Sequence, residues 1–202
     1  MNDERADPSV GEPTHIVLLD RDGTLCEERH HLVDPELVRL LPNAAKGVRA
    51  MRAQGLKVVL VTNQSVVGRG LTTPEGVAAV HARLLQLLQA EGADLDGIYY
   101  CPHRPDDDCD CRKPRPGLAY RAAQDAGSDL SSGFVVGDNV CDLQLARRVG
   151  ATSILVRTGY GCRVEAQHLD MADVCVNDLS DAAAAIAARC QWVDRGGGAS
   201  LD

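Results

Sequence analysis

The feature that most constrains the fold is a regular alternation of short apolar runs with segments of helical character. The apolar runs are rich in Val, Ile and Leu and end abruptly in polar residues or glycine, which is typical of strands buried in a parallel sheet. The intervening segments carry helix signals, such as Thr73 followed by Pro74 at the first helical position. This alternation predicts a doubly wound, mainly parallel, Rossmann-like α/β sheet.

The pattern divides the chain as follows. Six strands are predicted at 16–20, 57–64, 97–101, 133–138, 152–156 and 174–176. Five helices are predicted at about 43–54, 74–91, 117–126, 139–149 and 178–190. We expect a disordered arm at 1–14, a single domain over 15–193 and a flexible tail at 194–202.

Composition excludes several classes of function. There are 21 basic and 29 acidic residues, so the formal net charge of −8 disfavours a nucleic-acid partner. No apolar run approaches the ~18 residues of a membrane-spanning helix. The N-terminus is acidic and lacks a secretory signal, which favours a cytoplasmic protein. A monomer is compatible with the acidic composition and the compact domain.

Two pairs of carboxylates follow predicted strands. Asp20 ends the first strand, and Asp22 lies two residues further on. Asp138 ends the fourth strand, and Asp142 lies on the same face of the following helix. Carboxylates this close repel one another unless a cation or a proton intervenes. An acidic turn at Asp20 and a helix N-cap at Asp138 are the alternative interpretations.

Two further segments could contact a phosphate. Residues 62–65 (TNQS) end the second strand with hydroxyl, amide and backbone N–H groups, although a plain turn is the alternative. Residues 112–116 (RKPRP) place three cations in four positions on a loop stiffened by proline, and a solvated basic loop is the alternative there.

A cluster of metal-ligating residues lies just before that basic segment. Cys101, His103, Cys109 and Cys111 fall within eleven residues. Three thiolates and one imidazole complete a tetrahedral Zn²⁺ site with no open position, which predicts a structural zinc loop over 101–111. The alternative is four unrelated residues on one loop.

Together these segments resemble the motifs of the haloacid dehalogenase-like hydrolases. Residues 20–25 (DRDGTL) are similar to the first motif, residues 61–64 (VTNQ) to the second, Lys113 to the third, and residues 137–142 (GDNVCD) to the fourth. The resemblance implies that Asp20 and Asp138 lie on neighbouring strands where the strand order reverses. The short intervals between motifs imply that no large cap domain is present.

The resemblance also implies a mechanism. Asp20 would be the nucleophile that forms an aspartyl-phosphate, and Asp22 would act as general acid and then as general base. Mg²⁺ would be bound by the carboxylates of Asp20 and Asp138 and by the backbone carbonyl of Asp22.

The remaining polar residues would contact the phosphoryl group or its surroundings. Thr62, Asn63 and Lys113 would hold the phosphoryl oxygens. Asp142 would orient Lys113 or the metal's surroundings.

Residues 20–23, residues 62–65 and the zinc loop with its R-K-P-x-P-G continuation are similar to one branch, the heptose bisphosphate phosphatases and related histidinol phosphatases. The implied substrate is a small phosphorylated molecule, first of all D-glycero-D-manno-heptose 1,7-bisphosphate, which would lose its 7-phosphate. The implied substrate-binding residues are Asn63, Gln64, Ser65, Arg112 and Lys113. Histidinol phosphate, another sugar phosphate, or a receiver-like module phosphorylated on Asp remain alternatives.

Three positions depart from the branch's pattern: Val66, Asn139 and the segment 26–31. All of them lie near where a substrate would bind, so they bear on its identity.

Overall fold

The computed structural model describes residues 15–194; the expected arm, 1–14, and residues 195–202 of the expected tail lie outside these. Six strands follow in chain order: β1 (Ile16–Leu19), β2 (Lys57–Asn63), β3 (Gly97–Cys101), β4 (Phe134–Gly137), β5 (Thr152–Val156) and β6 (Val174–Val176). All six agree with the predicted strands within two residues at each end.

The strands form one parallel sheet in the order β3-β2-β1-β4-β5-β6. β1 lies at the centre, where Leu18 is paired with Val59 of β2 on one side and with Val135 of β4 on the other. The order reverses between β1 and β4, and ligands of doubly wound sheets bind at such a point. The predicted fold class and the predicted adjacency of β1 and β4 are therefore confirmed.

Among the described residues, five α-helices lie between strands and a sixth follows β6: α1 (Ala44–Ala53), α2 (Pro74–Ala90), α3 (Gly117–Ala126), α4 (Val140–Val149), α5 (Gly161–His168) and α6 (Leu179–Asp194). α2 begins as predicted, since the Thr73 hydroxyl accepts a hydrogen bond from the Gly76 N–H. α5 was not predicted, because its buried residues are only Gly161 and Val164 and give no apolar periodicity. Two short 3-10 turns, Pro35–Leu37 and Leu169–Met171, were not predicted either.

The core lies on both faces of the sheet. Val17 and Leu19 of β1 face a cluster with α1, α2 and α6, whereas Ile16 and Leu18 face a cluster with α3 and α4. Because both sets of side chains are buried, β1 is continuously apolar rather than alternating. A central strand held from both faces gives a rigid base for the residues that follow it.

The connections at the carboxyl end of the sheet are loops. Residues 20–43 contain one 3-10 turn, and residues 102–116 contain no helix or strand. In the part of the chain that the structure describes, no separate cap domain covers this edge, as expected. No helix among these residues is long and apolar enough to cross a membrane.

Candidate active site

A cavity of about 310 Å³ opens at the carboxyl ends of β1, β2 and β4. Seven of the predicted site residues line it: Asp20, Asp22, Thr62, Asn63, Arg112, Lys113 and Asp138. A larger cavity, of about 710 Å³, lies around Phe134 and Thr152 at the opposite end of the strands, and its lining contains no carboxylate. The predicted catalytic and magnesium-binding side chains therefore lie in the smaller cavity.

Three carboxylates and one ammonium group meet at the base of this cavity. Oxygens of Asp20, Asp138 and Asp142 all lie within 4.8 Å of one another. The Nζ atom of Lys113 lies 3.0 Å from Oδ1 of Asp20 and 2.6 Å from Oδ1 of Asp142. Burial alone would lower the pKa of Lys113, but the facing carboxylates of Asp142 and Asp20 raise it, so the group stays charged.

Burial is the main reason that two of these carboxyl groups have raised pKa values. The pKa of Asp138 is raised to about 8 by burial and by the neighbouring charge of Asp20. The pKa of Asp142 is raised to about 6 by burial, against which the Lys113 cation acts. One ammonium group does not balance three carboxylates, so a further cation at this point would be stabilised. Buried carboxylate oxygens at this spacing fit a hard divalent ion such as Mg²⁺.

Asp142 has both of its oxygens committed. Oδ1 accepts from Lys113, and Oδ2 accepts from the backbone N–H of Asn139, which is the N-cap of α4. The N-cap interpretation of Asp138 is therefore wrong, because Asn139 takes that position. Asp138 is left to face the cavity.

Asp22 is held by two side chains that lie behind it. Arg21 donates to both of its oxygens, from Nε at 3.0 Å and from a terminal nitrogen at 2.8 Å, and Gln64 donates at 2.8 Å. Arg21 is only 1% exposed and also donates to Oε1 of Gln64. Gln64 thus points toward Asp22 rather than into the cavity. Ser65, whose hydroxyl accepts from Arg69, also lies outside the cavity lining.

His81 of α2 extends this network into the core. Its Nε2 lies 3.3 Å from a terminal nitrogen of Arg21. Burial and the Arg21 cation lower the pKa of His81 to about 3. The imidazole is therefore neutral and accepts from Arg21. Sequence reasoning missed both residues, because a histidine on the apolar face of a helix gives no sign of its partner.

Asn63 holds the backbone of Lys113 with two hydrogen bonds. Its Nδ2 donates to the Lys113 carbonyl at 3.0 Å, and its Oδ1 accepts from the Lys113 N–H at 2.9 Å. Arg112, one residue before, donates to the carbonyl of His103. The basic segment is thereby fixed to the end of β2 and to the cysteine-rich loop.

The four predicted zinc ligands come together on that loop. The Sγ of Cys101 lies 3.3 Å from that of Cys111 and 3.7 Å from that of Cys109, and Nδ1 of His103 lies 3.1 Å from Sγ of Cys111. Ligands of tetrahedral Zn²⁺ are separated by about 3.6 to 3.8 Å, given Zn–S and Zn–N bond lengths of about 2.3 and 2.1 Å. The cluster is compatible with such a site.

The loop after β5 also reaches the carboxylates. The backbone N–H of Tyr160 donates to Oδ2 of Asp138 at 2.7 Å, and the hydroxyl of Thr158 donates to the carbonyl of Gly23 at 2.6 Å. Sequence reasoning assigned this loop no role. Its only signal is a pair of glycines, Gly159 and Gly161, directly after a buried strand.

Comparisons with known proteins find relatives of this chain in both sequence and structure. The profile of the family described as HAD-hydrolase-like matches residues 110–182. A D-glycero-beta-D-manno-heptose-1,7-bisphosphate 7-phosphatase from Pseudomonas aeruginosa is 35% identical over 177 residues, which cover 85% of this chain and 97% of that protein. A D-glycero-D-manno-heptose-1,7-bisphosphate 7-phosphatase from Thermosynechococcus vestitus is 37% identical over 195 residues, with coverages of 90% and 96%.

Among solved structures, a D,D-heptose 1,7-bisphosphate phosphatase from Bordetella bronchiseptica, complexed with magnesium and phosphate, superposes with a TM-score of 0.80. It is 34% identical, and the match covers 87% of this chain and 99% of that one.

Proposed function

The chain belongs to the haloacid dehalogenase-like hydrolases and, within them, to the family of the heptose bisphosphate phosphatases, and we propose that it removes the 7-phosphate of D-glycero-D-manno-heptose 1,7-bisphosphate with the help of Mg²⁺. The observation that carries this proposal is the cluster of Asp20 with the buried Asp138, Asp142 and Lys113 at the strand-order reversal. The substrate is taken from the names of the relatives, and the chemistry follows from the side chains.

Asp20 is the proposed nucleophile. Its Oδ1 accepts from the Arg21 N–H at 2.7 Å and faces Lys113. Within residues 15–194 no hydrogen bond is formed to Oδ2, so this oxygen is available to attack phosphorus. The new Asp20–phosphorus bond forms as the bond from phosphorus to the ester oxygen breaks.

Asp22 is the proposed general acid and base. It gives a proton to the departing ester oxygen and later takes one from the water that hydrolyses the aspartyl-phosphate. Arg21 and Gln64 fix the direction of its carboxyl group. Gln64 therefore supports catalysis by holding Asp22, a different role from the substrate contact expected from the sequence.

Lys113, Thr62 and the backbone of Asn63 would bind the phosphoryl oxygens, where negative charge is concentrated in the transition state. The hydroxyl oxygen of Thr62 accepts from Gln64 at 3.0 Å, so its own proton is free to be donated to a phosphoryl oxygen. Arg112 at the rim of the cavity would contact the rest of the substrate.

Mg²⁺ would be held by the carboxylates of Asp20 and Asp138 and by the Asp22 carbonyl. When bound, it neutralises charge between the carboxylates and the phosphate and polarises the phosphoryl group. Asp142 stays outside this set, because both its oxygens are used by Lys113 and Asn139.

Zn²⁺ would be held by Cys101, His103, Cys109 and Cys111 with no position left for substrate, which makes the site structural. It would order a loop that has little apolar content and hold Arg112 and Lys113 beside the cavity. Because such a site needs reduced thiolates, the proposed compartment is the cytoplasm.

Phosphate release from a panel of substrates tests the proposal. The panel contains both anomers of the heptose bisphosphate, histidinol phosphate, and fructose 1,6-bisphosphate as a control. Each is assayed in a zinc-containing buffer with and without Mg²⁺. We expect Mg²⁺-dependent turnover with a preference for one heptose anomer. Preference for histidinol phosphate would replace the substrate, and turnover independent of Mg²⁺ would overturn the mechanism.

Asp22→Asn separates an enzyme from a receiver-like module. Loss of a general acid and base lowers kcat by about 10² to 10⁴. A variant that still takes up phosphate from a small donor, in a protein whose wild type never turns over, would instead indicate a signalling module.

A further inference from the structure

The loop that joins β5 to α5 contacts Asp138, one of the three residues proposed to hold Mg²⁺, and Gly23, which directly follows another of them, Asp22. We propose that Thr158 and Gly159 are positioning residues, which set the carboxylate of Asp138 and the turn after Asp22 in the geometry that a divalent cation needs. This inference rests on the proposed function. It adds to it a loop that carries none of the motifs recognised in the sequence.

The first contact fixes the turn that follows the nucleophile. The hydroxyl of Thr158 donates to the carbonyl of Gly23 at 2.6 Å, across 135 positions of the chain. The same turn is closed from within by a hydrogen bond of 2.7 Å from the Gly23 N–H to the Cys26 carbonyl. The proposed backbone ligand is the carbonyl of Asp22, one residue before Gly23. A turn held from both sides keeps that carbonyl in one orientation.

The second contact selects which oxygen of Asp138 remains available. The backbone N–H of Tyr160 donates to Oδ2 at 2.7 Å. Asp138 is 2% exposed, so its carboxylate has little freedom to exchange this partner for water. Oδ1 is then the oxygen presented to a cation.

The third contact explains why glycine stands at position 159. Its φ is +54°, a conformation that residues with a side chain rarely adopt. A Cβ atom built there would lie 2.6 Å from the Cα of Gly23 and closer still to Oδ2 of Asp138. The Asp138 carboxylate also fills the space that a Cβ atom on Gly23 would take, so Gly23, Gly159 and Asp138 are packed against one another. A methyl group at 159 would therefore displace the Asp138 carboxylate.

All three contacts involve Asp138 or Gly23. They are made by the backbone N–H of Tyr160, by the hydroxyl of Thr158 and by the close approach of Gly159, which has no side chain. A loop that served stability alone could be altered without changing the affinity for a cation. Residues that orient metal ligands typically change that affinity by about 10- to 100-fold when they are replaced. Affinity for the cation is therefore the quantity to measure.

Gly159→Ala is the main variant, and Gly127→Ala is its matched control. Gly127 ends α3 with a φ of +62°, close to that of Gly159, but nothing lies within 4 Å of a Cβ built there. Both variants place a side chain at a similar positive φ, and only the first pushes on Asp138. The probe is Mn²⁺ alone, added to zinc-loaded protein without substrate. The concentration of free Mn²⁺ is measured from its electron paramagnetic resonance signal.

We expect Gly159→Ala to bind Mn²⁺ at least about tenfold more weakly than wild type, and Gly127→Ala to stay within about twofold. Equal affinities in the two variants would overturn the proposal. If Gly159→Ala does not fold, the Mn²⁺ affinities of Thr158→Val and Thr158→Ser test the proposal instead. Val removes the hydroxyl at nearly constant shape, whereas Ser keeps it. Weaker binding in the Val variant alone supports the proposal, and wild-type binding in both overturns it.

Failure of the proposed function can be distinguished from failure of this inference. A wild-type protein that neither binds Mn²⁺ nor releases phosphate from the panel would overturn the function and this inference together. A wild-type protein that does both, with unchanged affinity in the folded variants, would overturn the inference alone.

Discussion

His81 gives the protein a specific sensitivity to acid. Its pKa is lowered from 6.5 to about 3 by burial and by Arg21, so the folded protein keeps the imidazole neutral. Between those two values the unfolded chain binds more protons than the folded protein, and stability falls as the pH is lowered. This linkage costs about 0.2 kcal/mol at pH 7 and about 2 kcal/mol at pH 5.

Urea denaturation of wild type and of His81→Gln, each at pH 7 and pH 5, measures the effect. The Gln side chain can accept from Arg21 through Oε1 but does not titrate. We expect wild type to lose about 2 kcal/mol more than the variant between the two pH values. His31→Gln, which changes an exposed histidine, is the control and should keep the wild-type dependence on pH.

The other titrating groups are the same in wild type and His81→Gln, so their effects cancel in the comparison. One zinc-containing buffer exposes all three proteins to the same metal concentration. The reasoning is refuted if wild type and His81→Gln lose the same free energy of unfolding. That result would mean that the folded protein accommodates a charged imidazole beside Arg21.

Two further predictions concern the ion pairs and the cysteine-rich loop. Lys113→Met leaves the buried carboxylate of Asp142 and the partly buried carboxylate of Asp20 without their shared cation, so the Mg²⁺-free protein should lose about 3–5 kcal/mol of unfolding free energy in urea. An unchanged midpoint would show that these pairs do not stabilise the fold. Cys111→Ser should reduce both the zinc content measured by atomic absorption and the Tm, whereas Cys162→Ser, outside the cluster, should change neither. Equal zinc content in the two variants would contradict the proposed site.

The residues at the strand ends could be predicted from sequence because parallel strands bring their carboxyl ends to one edge of the sheet. Asp20 and Asp138 each follow a continuous apolar run, so their proximity depends only on the two strands being close in the sheet. The adjacency of these two strands was implied by the family resemblance. The Cys/His cluster was predictable for a different reason, since eleven residues of loop keep its members within reach of one another.

What could not be predicted are contacts between distant segments that share no pattern. Arg21 and His81 are 60 positions apart, and the burial of His81 follows from helical spacing whereas its partner does not. Gln64 follows a strand, as a substrate-binding residue would, but turns back to Asp22. Thr158 reaches Gly23 across the sheet, and only the folded chain shows this.

The two hydrogen bonds between Asn63 and Lys113 hold the backbone of Lys113 in place whatever the length of the loop before it. Residues 104–108, between His103 and Cys109, are all exposed. Extra residues there would enlarge a surface bulge, because the chain on either side is anchored independently. An engineer who wishes to attach a label or a peptide close to the cavity mouth has a location for it here.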